Sequence, residues 1–310
     1  MAAMASAGAP PVSVVVATRD RPELLRRAID SIVAQRYDGP IEVVVVFDRS
    51  DPDRSLERSS DDRAVRVIPN RATPGLAGAR NSGIRAAEGD LVAFCDDDDL
   101  WLPNKLAAQA ARLDEDPSLE LVTAGVLVDF NGRISARVLD RERISHADLL
   151  RSRVSEAHPS TFVARRAAVI DGIGLLDEQL PGSYAEDYDF LLRAARRHDI
   201  GVVTLPLAKV FWHRSSFFAG RWQTIVDALD HLQAVHPELA SVPAGLARIE
   251  GQQAFAHASM GNRRAAWTTA RRALGRNRRE PRAWLALAVG TGLVRSEWIV
   301  RALQAYGRGI

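Results

Sequence analysis

Cysteine occurs once in this 310-residue chain, at Cys95, which excludes an intramolecular disulfide and any cysteine-cluster metal site and suits a reducing compartment. Lysine occurs only at Lys105 and Lys209, so nearly all positive charge is arginine. The longest uncharged apolar stretch of the C-terminal part, residues 283–294, has 12 residues, short of the roughly 18 of a membrane span. Residues 1–11 carry no basic segment and do not read as a signal peptide, so a cytoplasmic protein is expected, peripheral to a membrane at most. Net charge is only +2, which gives no reason to expect a nucleic-acid partner.

What is present is an apolar fraction of 46% against 26% charged, enough for a sizeable core and too little charge for a disordered chain. The near-neutral average hides a split. Residues 1–224 carry 29 basic and 33 acidic side chains, whereas residues 225–310 carry 12 and 6. An acidic body with a basic appendage fits a length above that of one usual core.

The pattern along the chain predicts an α/β fold. Residues 12–17, 41–47, 64–68 and 91–95 are β-branched runs of the kind buried on both faces of a sheet. Helical spacing of apolar residues follows Pro22, and residues 78–87 read as a second helix. Alternation of this kind implies a largely parallel sheet covered by helices, with ligands at the C-terminal strand ends. Asn131-Gly132 between residues 121–130 and 134–139 signals a two-residue hairpin. Residues 184–197 read as an amphipathic helix, and residues 201–205 and 208–212 as two short strands. From Trp222 onward only helix is expected. The predicted organisation is a flexible 1–10, a catalytic domain over 11–222 and a helical extension over 223–310.

Four carboxylates, Asp96 to Asp99, directly follow an apolar strand. Their repulsion is relieved by a hard divalent cation such as Mg²⁺ or Mn²⁺, or else the run is a solvated turn capping the next helix. Asp48 ends the second strand; it suits a ring N–H of a nucleobase, or an ordinary turn. Thr18 and Arg19 end the first strand, and Arg80 could add a phosphate contact. Glu186 and Asp187 open a helix, where the macrodipole favours carboxylates; either could also serve as a general base. His213 closes a strand beside aromatic and basic neighbours.

These segments together resemble the inverting family 2 glycosyltransferases of the GT-A fold, over roughly residues 11–215. The resemblance rests on Val14-Val-Val-Ala-Thr-Arg-Asp-Arg-Pro-Glu-Leu-Leu25, Glu42-Val-Val-Val-Val-Phe-Asp-Arg-Ser50 and Gly75-Leu-Ala-Gly-Ala-Arg-Asn-Ser-Gly-Ile84. It continues in Gly89-Asp-Leu-Val-Ala-Phe-Cys-Asp-Asp-Asp-Asp-Leu-Trp101, with Pro103 and Lys105, and in Ala185-Glu-Asp-Tyr-Asp-Phe-Leu-Leu-Arg193. It implies a nucleotide-sugar pocket at Thr18, Arg19, Asp48, Arg80, Asp96, Asp97 and Trp101. It further implies Asp98, Asp96 and His213 as metal ligands in a DXD-type motif, and Asp187 as catalytic base with Glu186 shaping the site. The implied reaction moves a sugar from a nucleotide diphosphate, UDP by default, to an acceptor hydroxyl of a glycan or lipid-linked glycan. One departure bears on the donor. The usual Asp-Asp-Gly-Ser after the second strand reads Phe47-Asp48-Arg49-Ser50, so thymine or guanine could also present a ring N–H to Asp48.

Two rival functions fit the sequence less well. A nucleotidyltransferase would carry a Gly- and Lys-rich loop where Thr18-Arg19-Asp20-Arg21-Pro22 stands, and a degenerate, non-catalytic scaffold would not retain Asp48, Asp98 and Asp187. In the extension, eight arginines against one acid fall within residues 263–282, in a run that resembles a single tetratricopeptide unit. That basic face is either solvated charge on a helix pair, a contact for an anionic membrane anchored by Trp267, Trp284 or Trp298, or a surface for a protein partner.

Overall fold

The β-branched runs form the middle of one sheet in a computed structural model, which describes residues 8–212, 218 and 220–305. The first elements are β1 (Val12–Thr18), α1 (Pro22–Val33), β2 (Ile41–Phe47), β3 (Arg58–Ser59), β4 (Arg63–Pro69), α2 (Leu76–Ala86), β5 (Leu91–Asp96), β6 (Leu100–Trp101) and α3 (Lys105–Glu115). Next come β7 (Leu121–Phe130), β8 (Arg133–Arg137), β9 (Arg143–Ile144), α4 (His146–Arg151), β10 (Val163–Arg165), α5 (Arg166–Ala168), α6 (Glu186–Arg197) and β11 (Ile200–Trp212). The remainder is helical: α7 (Trp222–Val235), α8 (Pro243–Ser259), α9 (Arg263–Arg276), α10 (Pro281–Gly290) and α11 (Ser296–Ala305).

The strands order as β3-β4-β2-β1-β5-β10-β7-β11-β6, with β8 on β7 and β9 on β11. The stretch β4-β2-β1-β5 is parallel, and β10 against β5 and β7 is antiparallel. Parallel strands need helical cover on both faces, and the side chains comply: Val14, Val16, Val43 to Val46, Val92 and Ala93 are all fully buried. The register sets Thr18 opposite Phe47 and Ala17 opposite Asp96, so the polar residues after β1, β2 and β5 leave the sheet at one edge.

Asn131 and Gly132 both take left-handed backbone angles, φ 52° and 81°, as the two-residue turn between β7 and β8 requires. The two short strands expected near residues 201–212 are instead one strand. β11 pairs with β9 at Ile200 and Gly201 and with β6 at Ala208 and Lys209. Pro206, which has no N–H to give, lies outside the stretches paired with β9 and β6, and the strand runs through it.

The chain divides into two units. One comprises residues 1–146, 154–178 and 189–211 and contains the sheet; the other comprises residues 147–153, 179–188 and 212–310. Within the second, α8, α9 and α10 close on alanines: Ala247, Ala254, Ala266, Ala270, Ala273, Ala283 and Ala286 are buried around Phe255. Small side chains let the helices approach closely, and Trp222 meets Phe255 edge-on with ring centres 5.7 Å apart. Glu250, 4% exposed, is neutralised by Arg276 at 2.9 Å and Arg272 at 3.8 Å. Part of the basic excess is therefore engaged inside the unit. Trp267, Trp284 and Trp298 stand exposed at 39%, 55% and 58%.

Candidate active site

In the first unit the acidic run folds back on the end of β1. Thr18 Oγ1 donates to Asp97 Oδ2 at 2.7 Å, and Arg21 Nη1 reaches Asp97 Oδ1 at 3.1 Å and Asp98 Oδ2 at 2.8 Å. Burial pushes the Asp97 carboxyl up to about 6, against the pull of Thr18 and Arg21 and with the help of its acidic neighbours. Arg80, 3% exposed, donates to Asp96 Oδ1 at 2.5 Å and lies 5.8 Å from the Phe94 ring centre. The guanidinium is thus placed among the carboxylates rather than on open surface.

Asp48 is 9% exposed, and its Oδ1 accepts from Asn70 Nδ2 at 2.8 Å and the Gly75 backbone N–H at 3.1 Å. Arg49, which stands where the family has glycine, takes φ 56°, the left-handed conformation that glycine adopts without strain. Arg19 points outward, 53% exposed by side chain, and pairs with Asp20 at 3.6 Å.

Ligand atoms of Asp96, Asp99 and His158 lie within 4.8 Å of one another. Asp99 is 2% exposed, accepts from Ser160 Oγ at 2.5 Å and lies 3.5 Å from His158 Nδ1. Burial, then the Asp96 charge, pushes its carboxyl well above the usual carboxylate range, so a cation would relieve a carboxylate that pays to ionise. Two carboxylates and one imidazole form a donor set that fits a divalent metal ion. The grouping joins Asp96 to Asp99 and His158, while Asp98 is held by Arg21; His213 lies outside the described residues.

Trp101 is 4% exposed, and its Nε1 donates to the Ser160 carbonyl at 2.8 Å, which ties the end of the acidic run to the His158 segment. Beneath it, Lys105 is fully buried with Nζ 3.8 Å from the indole centre.

In the second unit, Asp187 is 9% exposed and Glu186 5%. Arg153 Nη2 donates to Asp187 Oδ1 at 2.7 Å and Oδ2 at 2.8 Å. Tyr188, also buried, donates from Oη to the Leu149 carbonyl at 2.6 Å.

The sequence pointed to Thr18, Asp48 and the acidic run because each stands at a legible strand end, and to Arg80 because it lies on the helix before the acidic strand. It missed Arg153, His158 and Ser160, which sit in the irregular stretch around residues 152–162, where no periodicity or motif marks them. Arg21 was visible only as part of the opening motif.

Comparison with known proteins follows the same lines. The family described as Glycosyl transferase family 2 matches residues 13–171, just over half of the chain. The UDP-Glc:alpha-D-GlcNAc-diphosphoundecaprenol beta-1,3-glucosyltransferase WfgD of Escherichia coli is 23% identical over 192 residues, 62% of this chain and 72% of its own. S. aureus TarS 1–349, solved in complex with UDP-GlcNAc, superposes with a TM-score of 0.59 at 19% identity, covering 96% of this chain and 92% of that one. The mannosyltransferase PcManGT of Pyrobaculum calidifontis, solved with GDP-Man and Mn²⁺, gives 0.52 at 21% identity, covering 97% and 80%. These likenesses fix the fold as GT-A, and with the match over residues 13–171 the chain belongs to the family 2 glycosyltransferases.

Proposed function

We propose that this protein is a metal-dependent inverting glycosyltransferase that moves a sugar from a nucleotide diphosphate, UDP first among the candidates, to an acceptor hydroxyl of a glycan or lipid-linked glycan. The observation that carries the reading is the convergence of Thr18, Asp48, Arg80 and Asp96 to Asp98 at one edge of the parallel sheet. The donor's base is assigned to Asp48, whose Oδ1 is already engaged by Asn70 and Gly75, so Oδ2 is the oxygen for a ring N–H. Thr18, Arg19 and Asp97 border the nucleotide, and Trp101 supports the acidic run from behind. UDP is favoured because WfgD is named for UDP-glucose and TarS was solved with UDP-GlcNAc; PcManGT with GDP-Man keeps guanine as the alternative. A lipid-linked acceptor is favoured by the diphosphoundecaprenol in the name of WfgD.

Asp96, Asp99 and His158 would hold the divalent ion, with Asp98 added by the family's DXD register, and the ion when bound supplies positive charge for the diphosphate leaving group. Asp187 takes the proton of the acceptor hydroxyl, and Glu186 shapes the site around it. The acceptor oxygen forms its bond to the anomeric carbon as the bond to the diphosphate oxygen breaks and its electron pair leaves with the nucleotide. One displacement inverts the anomeric centre, and no covalent sugar–enzyme intermediate is needed.

Asp187→Asn is expected to lose turnover by about two to four orders of magnitude, the usual contribution of a general base. Donor binding, followed by thermal shift with UDP-sugars and Mn²⁺, is expected to survive. Near-normal UDP release from this variant would place the base elsewhere.

A further inference from the structure

One nitrogen of one arginine straddles both oxygens of Asp187. Arg153 Nη2 lies 2.7 and 2.8 Å from them, and it arrives from a segment 34 residues upstream. That segment is fastened to the same short stretch of chain at a second point, where Tyr188 Oη bonds the Leu149 carbonyl. Helix α8 contacts both stretches: Gly245 packs so tightly that a Cβ there would fall 1.8 Å from the Leu150 carbonyl oxygen, and Arg248 lies 5.4 Å over the Tyr188 ring.

The backbone around both partners is held in uncommon conformations. Val154, next to Arg153, has φ 48°, and Ser183 and Ala185, just before Asp187, have φ 56° and 67°. A β-branched residue at positive φ is rare, and such strain persists only where the surroundings over-determine it, most often at functional sites. A carboxylate in the first turn of α6 already has favourable backbone dipoles, so the helix alone does not call for an arginine partner. The pair also keeps contact with solvent, the side chains being 36% and 11% exposed, unlike a sealed structural ion pair.

We propose that Arg153 is a positioning residue for sugar transfer: it aims the Asp187 carboxylate and holds it in its proton-accepting form. The proposal rests on the reading of Asp187 as the base. A second role follows for the C-terminal helices, which pack through Gly245 on the segment that carries Arg153 and through Arg248 on Tyr188.

Groups facing the pair among the described residues include Tyr184, Glu186 and Tyr188 from the Asp187 segment and Arg248 from α8, which also faces Tyr188 and Arg282. Burial works against the Arg153 charge, but Asp187, Tyr184 and Glu186 together hold it protonated at all working pH values. Arg153 is therefore a constant cation beside the carboxylate.

The test is UDP release from UDP-GlcNAc and UDP-glucose with Mn²⁺, across pH, for the 310-residue chain and its variants. Arg153→Met is expected to lower kcat by about 10- to 100-fold, the scale of a misaimed catalytic group, with the donor KM within about twofold of wild type. The acidic limb of its kcat profile is expected to move up by about one to three pH units, since a carboxylate beside arginine ionises that much more easily. Arg153→Lys, whose single nitrogen can also straddle a carboxylate, is expected to restore the limb and part of kcat. Wild-type kcat and limb in Arg153→Met, with Asp187→Asn inactive, overturn the positioning role and leave the base in place. Turnover retained by Asp187→Asn overturns the base, and the proposal with it. Should the methionine variant fail to fold, Arg153→Gln, a shorter side chain that keeps a hydrogen-bonding amide without charge, is judged by the same criteria.

Discussion

Lys105 shows how much one side chain can carry. It is fully buried, its Nζ has no hydrogen-bond partner among the described residues, and it rests on the Trp101 ring. Burial pushes its pKa down to about 7 from 10.5, with Cys95 working the other way. Between those two values the unfolded chain binds the proton and the folded chain does not, so stability rises with pH across that window. Below pH 7 the folded protein carries a buried, incompletely partnered ammonium. Lys105→Met is expected to stabilise the protein by about 1–3 kcal/mol near pH 6, as replacement of buried charge by apolar volume does elsewhere. The gain should shrink toward pH 9.5. Urea unfolding over that range checks it, and parallel curves for the two proteins would show that Lys105 does not titrate there. At this same scale the sequence displayed the residues but not their partners. Asp187 was legible as a base from its motif, whereas Arg153 came from an irregular segment and its pairing from three-dimensional proximity alone.

At the scale of elements, α2 and the loop before it explain how Asp48 is oriented. The Asn70 side chain and the Gly75 N–H fix one oxygen of Asp48, and Gly75, at φ 137°, begins the helix. Gly78, one turn later, passes so close to the loop that a Cβ would stand 1.9 Å from the Thr73 carbonyl oxygen. Backbone cannot yield there as a flexible side chain would. Gly78→Ala is expected to cost about 1–3 kcal/mol, the usual penalty of overpacking, and to weaken UDP binding by displacing the Gly75 N–H. Equilibrium unfolding with a UDP thermal-shift titration separates the two effects; an unchanged response to UDP would detach the loop from nucleotide binding. Strands and helices were legible because their apolar periods of about two and 3.6 residues report burial directly. The join of residues 200–212 into a single strand was not, because proline reads locally as a breaker while the pairing pattern that tolerates it is distant in sequence.

Across the whole molecule, the feature that changed most is the basic C-terminal part. Its composition set it apart as an appendage of arginine-rich helices, and the structure does make it entirely helical among the described residues. No helix there or elsewhere among the described residues is long and apolar enough to cross a membrane. The same helices share a unit with residues 147–153 and 179–188, and so with Arg153, Glu186 and Asp187. Gly245→Val, a substitution on α8 and remote in sequence from every motif, is therefore expected to lower kcat at least about tenfold by displacing the Leu150–Arg153 segment. Donor affinity should hold. Unaltered UDP release in a folded Gly245→Val protein would show that α8 does not act on the reaction.

The parallel sheet, the acidic edge and the family were all legible in the residue order, because buried strands need β-branched runs and nucleotide chemistry needs polar residues directly after them. Only the tertiary structure decided which carboxylate meets which cation: Asp96 with Arg80, Asp97 and Asp98 with Arg21, Asp187 with Arg153. Those pairings depend on distance between residues tens of positions apart, and electrostatic interaction follows distance in space, which no local pattern of the chain encodes.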